Sequence, residues 1–207
     1  MWSVLIAALI GYLLGNLNGA VCISGLHHDD VRTHGSGNAG LTNFIRNYGV
    51  GQAIFVILID AGKAIVSCVL GGLLVRHQMP FINGAAIGGL AVMLGHIFPA
   101  FLGFRGGKGI LSGLFVAFFV DYRVALVILA VFAVAYIITG YVSVGSVLAA
   151  TAFCVMFAFL HYDNLVVMIP MICAGVLAIY MHRTNMVRLI QGKEKRTNLF
   201  TKKQKEC

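Results

Sequence analysis

Charge is what this 207-residue chain has least of: Asp, Glu, Lys and Arg make up 11% of it, hydrophobic residues 59%, and mean hydropathy is +0.91. Soluble domains carry roughly 25% charged residues, so this chain cannot cover its own surface in water, and lipid must solvate much of it. Period-two alternation is missing too. Runs such as IFVILIDAGKAIVSCVLGGLLV and ALVILAVFAVAYII are continuous. Only helices or closed barrels satisfy the backbone in lipid, and unbroken runs favour helices.

Cations are absent from the first stretch, where no Lys or Arg precedes Arg32. Without a basic n-region a cleavable signal is not expected, so the first apolar segment should remain as an anchor. The five cysteines lack CxxC or zinc-type spacing, and four sit in apolar stretches. They read as packing residues, with no disulfide and no metal. No Ser–His–Asp or Cys–His arrangement stands out, and no carboxylate cluster suits a metal. Neither a linker nor an internal repeat divides the chain, so residues 1–207 are expected to form one domain.

Seven hydrophobic segments are present, at about 2–23, 50–75, 81–102, 109–120, 123–140, 143–160 and 163–181. Most approach the roughly 20 residues a crossing needs, and the fourth is short. The expectation is an all-α membrane protein, a seven-span helical bundle with tight turns at Asp121–Arg123, His161–Asn164 and Gly140–Ser143. With the N-terminus outside, twelve Lys and Arg fall on the inside and only Arg76 and Arg123 outside, Lys63 lying within a span. The positive-inside bias therefore predicts an outside N-terminus, a cytoplasmic C-terminus and a basic cytoplasmic tail over 182–207. Such a tail suits nucleic acid or anionic lipid; in a membrane protein lipid is the better reading, and no nucleic-acid partner is expected.

The polar residues gather in the expected inside loops. Gly35, Gly37 and Gly40 fall within six residues and let successive N–H groups converge as an anion nest. Ser36, Thr42 and Asn43 add side-chain donors, and Arg46 adds a planar cationic fork suited to phosphate. A helix starting near Thr42 would aim its N-terminal amides at the same anion. The next span holds Asp60 and Lys63, one turn apart, as an ion pair, a substrate contact or both. Then come His96 and a second basic glycine turn with Gly106, Gly107 and Lys108. A Walker nucleotide loop is excluded, since Leu102 and Gly109 stand where it needs Gly and Ser or Thr. Ser143, and His182 with Asn185 one turn on, complete the inside set, while Arg183 and Arg188 read as snorkelling interfacial cations. Such a constellation can hold phosphates and polarise a carbonyl.

At these residues the chain resembles the bacterial acyl-phosphate:glycerol-3-phosphate acyltransferases, membrane enzymes of phospholipid biosynthesis. GSGNAGLTNFIR looks like the family's first motif, DAGK its second, GHIFPAFLGFRGGKG its third, with YVS and HRTNMVRLIQGKE following in order. The resemblance covers nearly the whole chain and implies seven spans with the N-terminus outside. It implies acyl transfer from acyl phosphate to the sn-1 hydroxyl of glycerol 3-phosphate, giving lysophosphatidic acid and phosphate with no cofactor. The expected partners are acyl phosphate, glycerol 3-phosphate and membrane lipid. A monomer is expected, in the bacterial inner (plasma) membrane with its active site facing the cytoplasm.

By motif position, Ser36, Gly37, Asn38, Gly40, Thr42 and Asn43 are expected to cradle the donor's phosphate, with Gly35 beside them. Arg46, Lys108, His182 and Asn185 are expected to bind glycerol 3-phosphate, and Ser143 to orient a substrate. His96, Gly106 and Gly107 would shape the third loop, with Asp60 and Lys63 supporting it. Four departures from the family pattern are Ala39 for Pro, Ala64 for Gly, Gly140 for a basic residue, and Ile110-Leu-Ser112 for Val-Ala-Thr. A small transporter of an anionic solute, a non-catalytic scaffold and a divergent paralogue with another acceptor are the rival readings. A transporter needs a polar path to both faces, which the short outer turns disfavour.

Overall fold

A computed structural model describes residues 2–196. Lys202, Lys203, Lys205 and Cys207, which end the expected basic tail, lie outside the described residues. The described chain is all helical, with ten α-helices: α1 (Trp2–Gly15), α2 (Gly19–Gly25), α3 (Leu41–Tyr48), α4 (Ala53–Val75) and α5 (Phe81–Ile97), then α6 (Ile110–Val120), α7 (Tyr122–Thr139), α8 (Val142–Leu160), α9 (Leu165–Met181) and α10 (Arg183–Ile190). Four helices are long and apolar enough to cross a membrane, or six if two bent pairs, α1 with α2 and α9 with α10, each count as one crossing.

The remaining expected crossing, over 109–120, is the 11-residue α6, which rises only about 16 Å at 1.5 Å per residue. The first segment also differs from its expected form. It breaks at Asn16–Asn18 and turns by 40°. Asn18 causes the restart: its side chain accepts from Val21 N at 3.1 Å and caps α2. The tight turns arise as expected. Asp121 accepts from Arg123 N at 3.0 Å to start α7, and Gly140, at φ +72°, ends it.

Helices α1, α4 and α5 pack on small residues. A Cβ on Gly84 would strike the Gly71 backbone, and Ser67 Oγ donates to Gly88 O at 2.8 Å across the same crossing. Small residues let membrane helices approach closely where no hydrophobic drive separates helix from lipid. The other half packs on bulk: Val116, Val124, Phe153, Phe157, Val167 and Met171 are buried together. Large apolar side chains such as Leu9, Leu58, Ile137 and Phe159 face outward, as a lipid-solvated surface requires. A second, smaller core of Ile23, Val31, Phe44 and Val56 lies under the first loop and seats α3.

Candidate active site

The first loop is stapled from within. Gly35 and Gly37 take φ of +58° and +69°. Asn43, buried, donates to Val31 O, His34 O and Asn38 O at 3.0–3.1 Å, while its Oδ1 accepts from Ser36 N at 3.0 Å. Asn43 therefore holds the loop's shape with the amide expected to meet an anion. The Ser36 N–H is committed in the same way. Ser36 and Gly37 stand exposed at the tip, and Gly40 is the N-cap position of α3, whose last turn carries Arg46.

The second glycine turn lies against the first. Arg32, fixed by Asp30 at 2.8 Å, donates to Leu102 O at 2.8 Å. Gly107 N donates to His96 O at 3.1 Å. A Cβ on Gly107 would collide with the His96 ring and come within 3.1 Å of Ala39 O, so only glycine lets both loops meet His96 here. Gly106 is as confined, with a would-be Cβ 2.7 Å from Pro99 Cδ. The broken helix links both turns: Asn18 Nδ2 donates to Ala39 O at 3.0 Å, and Asn16 Oδ1 accepts from Phe101 N at 3.1 Å.

Asp60 and Lys63 support that break. Their ion pair, 2.8 Å long, is buried. Asp60 Oδ1 accepts from Gly19 N at 3.2 Å, at the start of α2. Lys63 Nζ donates to Leu17 O at 2.6 Å and stands 2.8 Å from His96 Nδ1. Each ion thus meets one of the orphan backbone groups that a helix break leaves.

A cationic cluster forms beside the loops. Lys108 Nζ donates to Asn185 Oδ1. Asn185 Nδ2 in turn donates to Glu194 Oε1 at 2.7 Å, and Arg188 Nε to Glu194 Oε2 at 3.0 Å. His182 Nδ1 lies 2.8 Å from Ala178 O, which can only accept, so that nitrogen carries a proton. Burial, then the neighbouring Arg188 and Arg46 charges, lower the Lys108 pKa to about 8, with Glu194 opposing. Burial also lowers Arg46. Burial pushes Glu194 up, yet the hydrogen bonds from Asn185 and Arg188 outweigh it, with Ser143 close by, and leave its pKa below the usual value.

Arg46, Lys108, Ser143, His182 and Asn185 are thus brought into one electrostatic neighbourhood, whereas Ser36 sits at the loop tip. Arg188, read from sequence as an interfacial cation, belongs to the cluster; Arg183 stacks over Tyr180 at 4.2 Å, exposed. Sequence reasoning missed Asn16, Asn18 and Glu194. The two asparagines did carry a signal, an Asn–Leu–Asn–Gly turn inside an apolar run. Among the described residues, no three His, Cys, Asp or Glu side chains gather as metal ligands. The arrangement gathers cations and N–H donors beside two joined loops, the chemistry of holding phosphorylated groups.

Comparison with known proteins places this geometry. Residues 5–192 match the family model described as glycerol-3-phosphate acyltransferase. The glycerol-3-phosphate acyltransferase of Shouchella clausii is 38% identical over 197 residues, covering 93% of this chain and 95% of the relative. That of Anaeromyxobacter dehalogenans is 40% identical over 202 residues, covering 94% and 96%. Among solved structures, PlsY (YgiH), an integral membrane glycerol 3-phosphate acyltransferase, in its glycerol 3-phosphate form superposes with a TM-score of 0.84. It is 34% identical and covers 96% of this chain and 100% of its own. Its lysophosphatidic acid form gives a TM-score of 0.80 at 33% identity, covering 95% and 96%.

Proposed function

The chain belongs to the glycerol-3-phosphate acyltransferase family and is an acyltransferase of phospholipid biosynthesis, and from that premise we propose that acyl phosphate is its donor and the sn-1 hydroxyl of glycerol 3-phosphate its acceptor. The hydroxyl oxygen attacks the acyl carbon, the bond from that carbon to the phosphate oxygen breaks, and the hydroxyl proton leaves with the released phosphate. Two anionic substrates must be held against their mutual repulsion, and charge on the carbonyl oxygen stabilised.

The observation that carries this reading is the meeting of Arg46, Lys108 and Arg188 with Asn185 and His182 beside two joined glycine loops. In it, Arg46, Lys108, His182 and Asn185 hold glycerol 3-phosphate and Ser143 orients it. Ser36, Gly37, Asn38, Gly40 and Thr42 receive the donor phosphate, with Asn43 keeping their loop in shape. His96, Gly106 and Gly107 form the seam, and Asp60 and Lys63 brace it. The topology that goes with this is seven crossings, counting α6 and each bent pair, with the C-terminus and the site on the cytoplasmic side of the inner membrane. We take the active unit to be a monomer.

The test is purified protein in lipid, given acyl phosphate and labelled glycerol 3-phosphate. Labelled lysophosphatidic acid is the expected product. Its absence, with acyl-CoA failing as donor too, overturns the reading.

A further inference from the structure

Lys63 lies in the span α4, and its ammonium has three protons to place. Around Nζ stand Asp60 Oδ1 at 2.8 Å, Leu17 O at 2.6 Å and His96 Nδ1 at 2.8 Å, with Gly15 O more distant at 3.4 Å. The carboxylate and the carbonyl can only accept. The third close partner is the imidazole. Asp60 Oδ1 is 3.7 Å from His96 Nδ1, too far for a hydrogen bond to bypass the lysine. With its carboxylate partner beside it, the lysine is an ammonium and donates to Nδ1, which must therefore hold a lone pair. A neutral imidazole has one N–H, so it sits on Nε2. That nitrogen faces the α-carbon of Gly107, next to Ala39 O, where the two glycine loops touch.

We infer that Lys63 is a positioning residue that locks His96 as the neutral Nε2–H tautomer, so that a fixed N–H donor faces the seam between the two loops. The first loop, whose Ala39 it faces, is the one that receives the acyl phosphate in the function proposed above, on which the catalytic part of this inference rests. His96 then offers a hydrogen-bond donor at the seam and is closed to use as a base: Nδ1 is occupied and Nε2 already bears its proton. Asp60 holds the ammonium, the ammonium orients the ring, and the glycine at 107 admits the ring's edge. One buried line runs from a span to the substrate seam.

Two measurements test this. In lipid nanodiscs with ¹⁵N-labelled histidine, His96, assigned by loss of its signals in His96→Gln, should show a protonated Nε2 and an unprotonated Nδ1. That pattern should hold between about pH 6 and pH 8, where an ordinary histidine titrates. A protonated Nδ1, or an imidazolium, overturns the inference whether or not the protein transfers acyl groups. The second measurement compares two amides. Gln at 96 extends an N–H to the Nε2 position, while Asn offers only an acceptor at the Nδ1 position. His96→Gln should keep its turnover number within about tenfold of the parent, and His96→Asn should lose about 100-fold, the usual cost of one aimed donor. The reverse order, Asn active and Gln inactive, would show that the ring matters only as a partner for Lys63. Failure of the parent itself to transfer acyl groups would sink the proposed function, with the spectrum still deciding the tautomer.

Discussion

Asn18 Nδ2 donates to the carbonyl oxygen of Ala39 at 3.0 Å, so the break in the first apolar segment and the first glycine loop are one structure. The same side chain caps α2 through Val21 N. Replacing Asn18 by Ala removes both bonds. Each is worth about 1 kcal/mol, so we expect a roughly tenfold rise in the Michaelis constant for a phosphorylated substrate from the loop's loss of anchorage. Steady-state kinetics on Asn18→Ala, beside a melting curve, checks it; unchanged constants would detach the break from the site.

The Asp60–Lys63 pair should be costly to halve and cheaper to remove whole. Lys63→Met leaves a buried carboxylate hydrogen-bonded by Gly19 N alone, with His96 Nδ1 3.7 Å away, and losing one partner of a buried pair costs about 3–5 kcal/mol. The double variant Asp60→Leu with Lys63→Met should melt above Lys63→Met alone in the same detergent. A double variant that melts lower would mean that the break needs its charges more than the charges need each other.

In the function proposed above, Lys108 gives the acceptor site a basic limit. Its pKa, lowered to about 8, means the ammonium begins to lose its proton there. Only the protonated form attracts a phosphate dianion, so the Michaelis constant for glycerol 3-phosphate should rise as pH climbs through about 8. Lys108→Arg should abolish that rise, because guanidinium stays charged. Glu194→Gln should move it to lower pH, since the Glu194 charge is what opposes the fall. A flat profile in the parent would refute the assignment.

Two glycines in the family-like motifs should behave oppositely. Gly107→Ala drives a methyl into His96 and towards Ala39 O, forcing the loops apart; a displacement of that order costs on the order of 100-fold in rate. A Cβ on Gly62, in the middle of α4, meets nothing within 4 Å. Gly62→Ala should therefore leave turnover intact and raise stability by about 0.5–1 kcal/mol through helix propensity. Comparable losses in the two variants would show that Gly62 faces something other than open space.

Much of this was legible beforehand, and the gaps have causes. Continuous apolar runs located α4, α5, α7, α8 and α9 to within a few residues, because hydropathy over such lengths has no competing signal. The same averaging hid the break at Asn16–Asn18, where two asparagines are outvoted by their neighbours. Residue type marked Asn43 as a donor, but which groups an amide meets is a matter of orientation, and here they are the loop's own carbonyls. Glu194 was invisible for another reason: one acid among the basic residues of the last stretch reads as surface, until α10 brings Asn185 and Arg188 to it.

The shortness of α6 has a consequence for where the reaction happens. His161 Nε2, at the end of α8, sits 3.1 Å from Asp121 Oδ2, at the end of α6, so the two helices share one base level. From that level α6 climbs about 16 Å before the chain opens into the Lys108 turn, while the 19 residues of α8 climb about 28 Å. The α6 wall is thus about 12 Å lower than its neighbour, and under the topology proposed above the Lys108 turn would lie that much nearer the membrane interior, within reach of a reactant that stays in its leaflet.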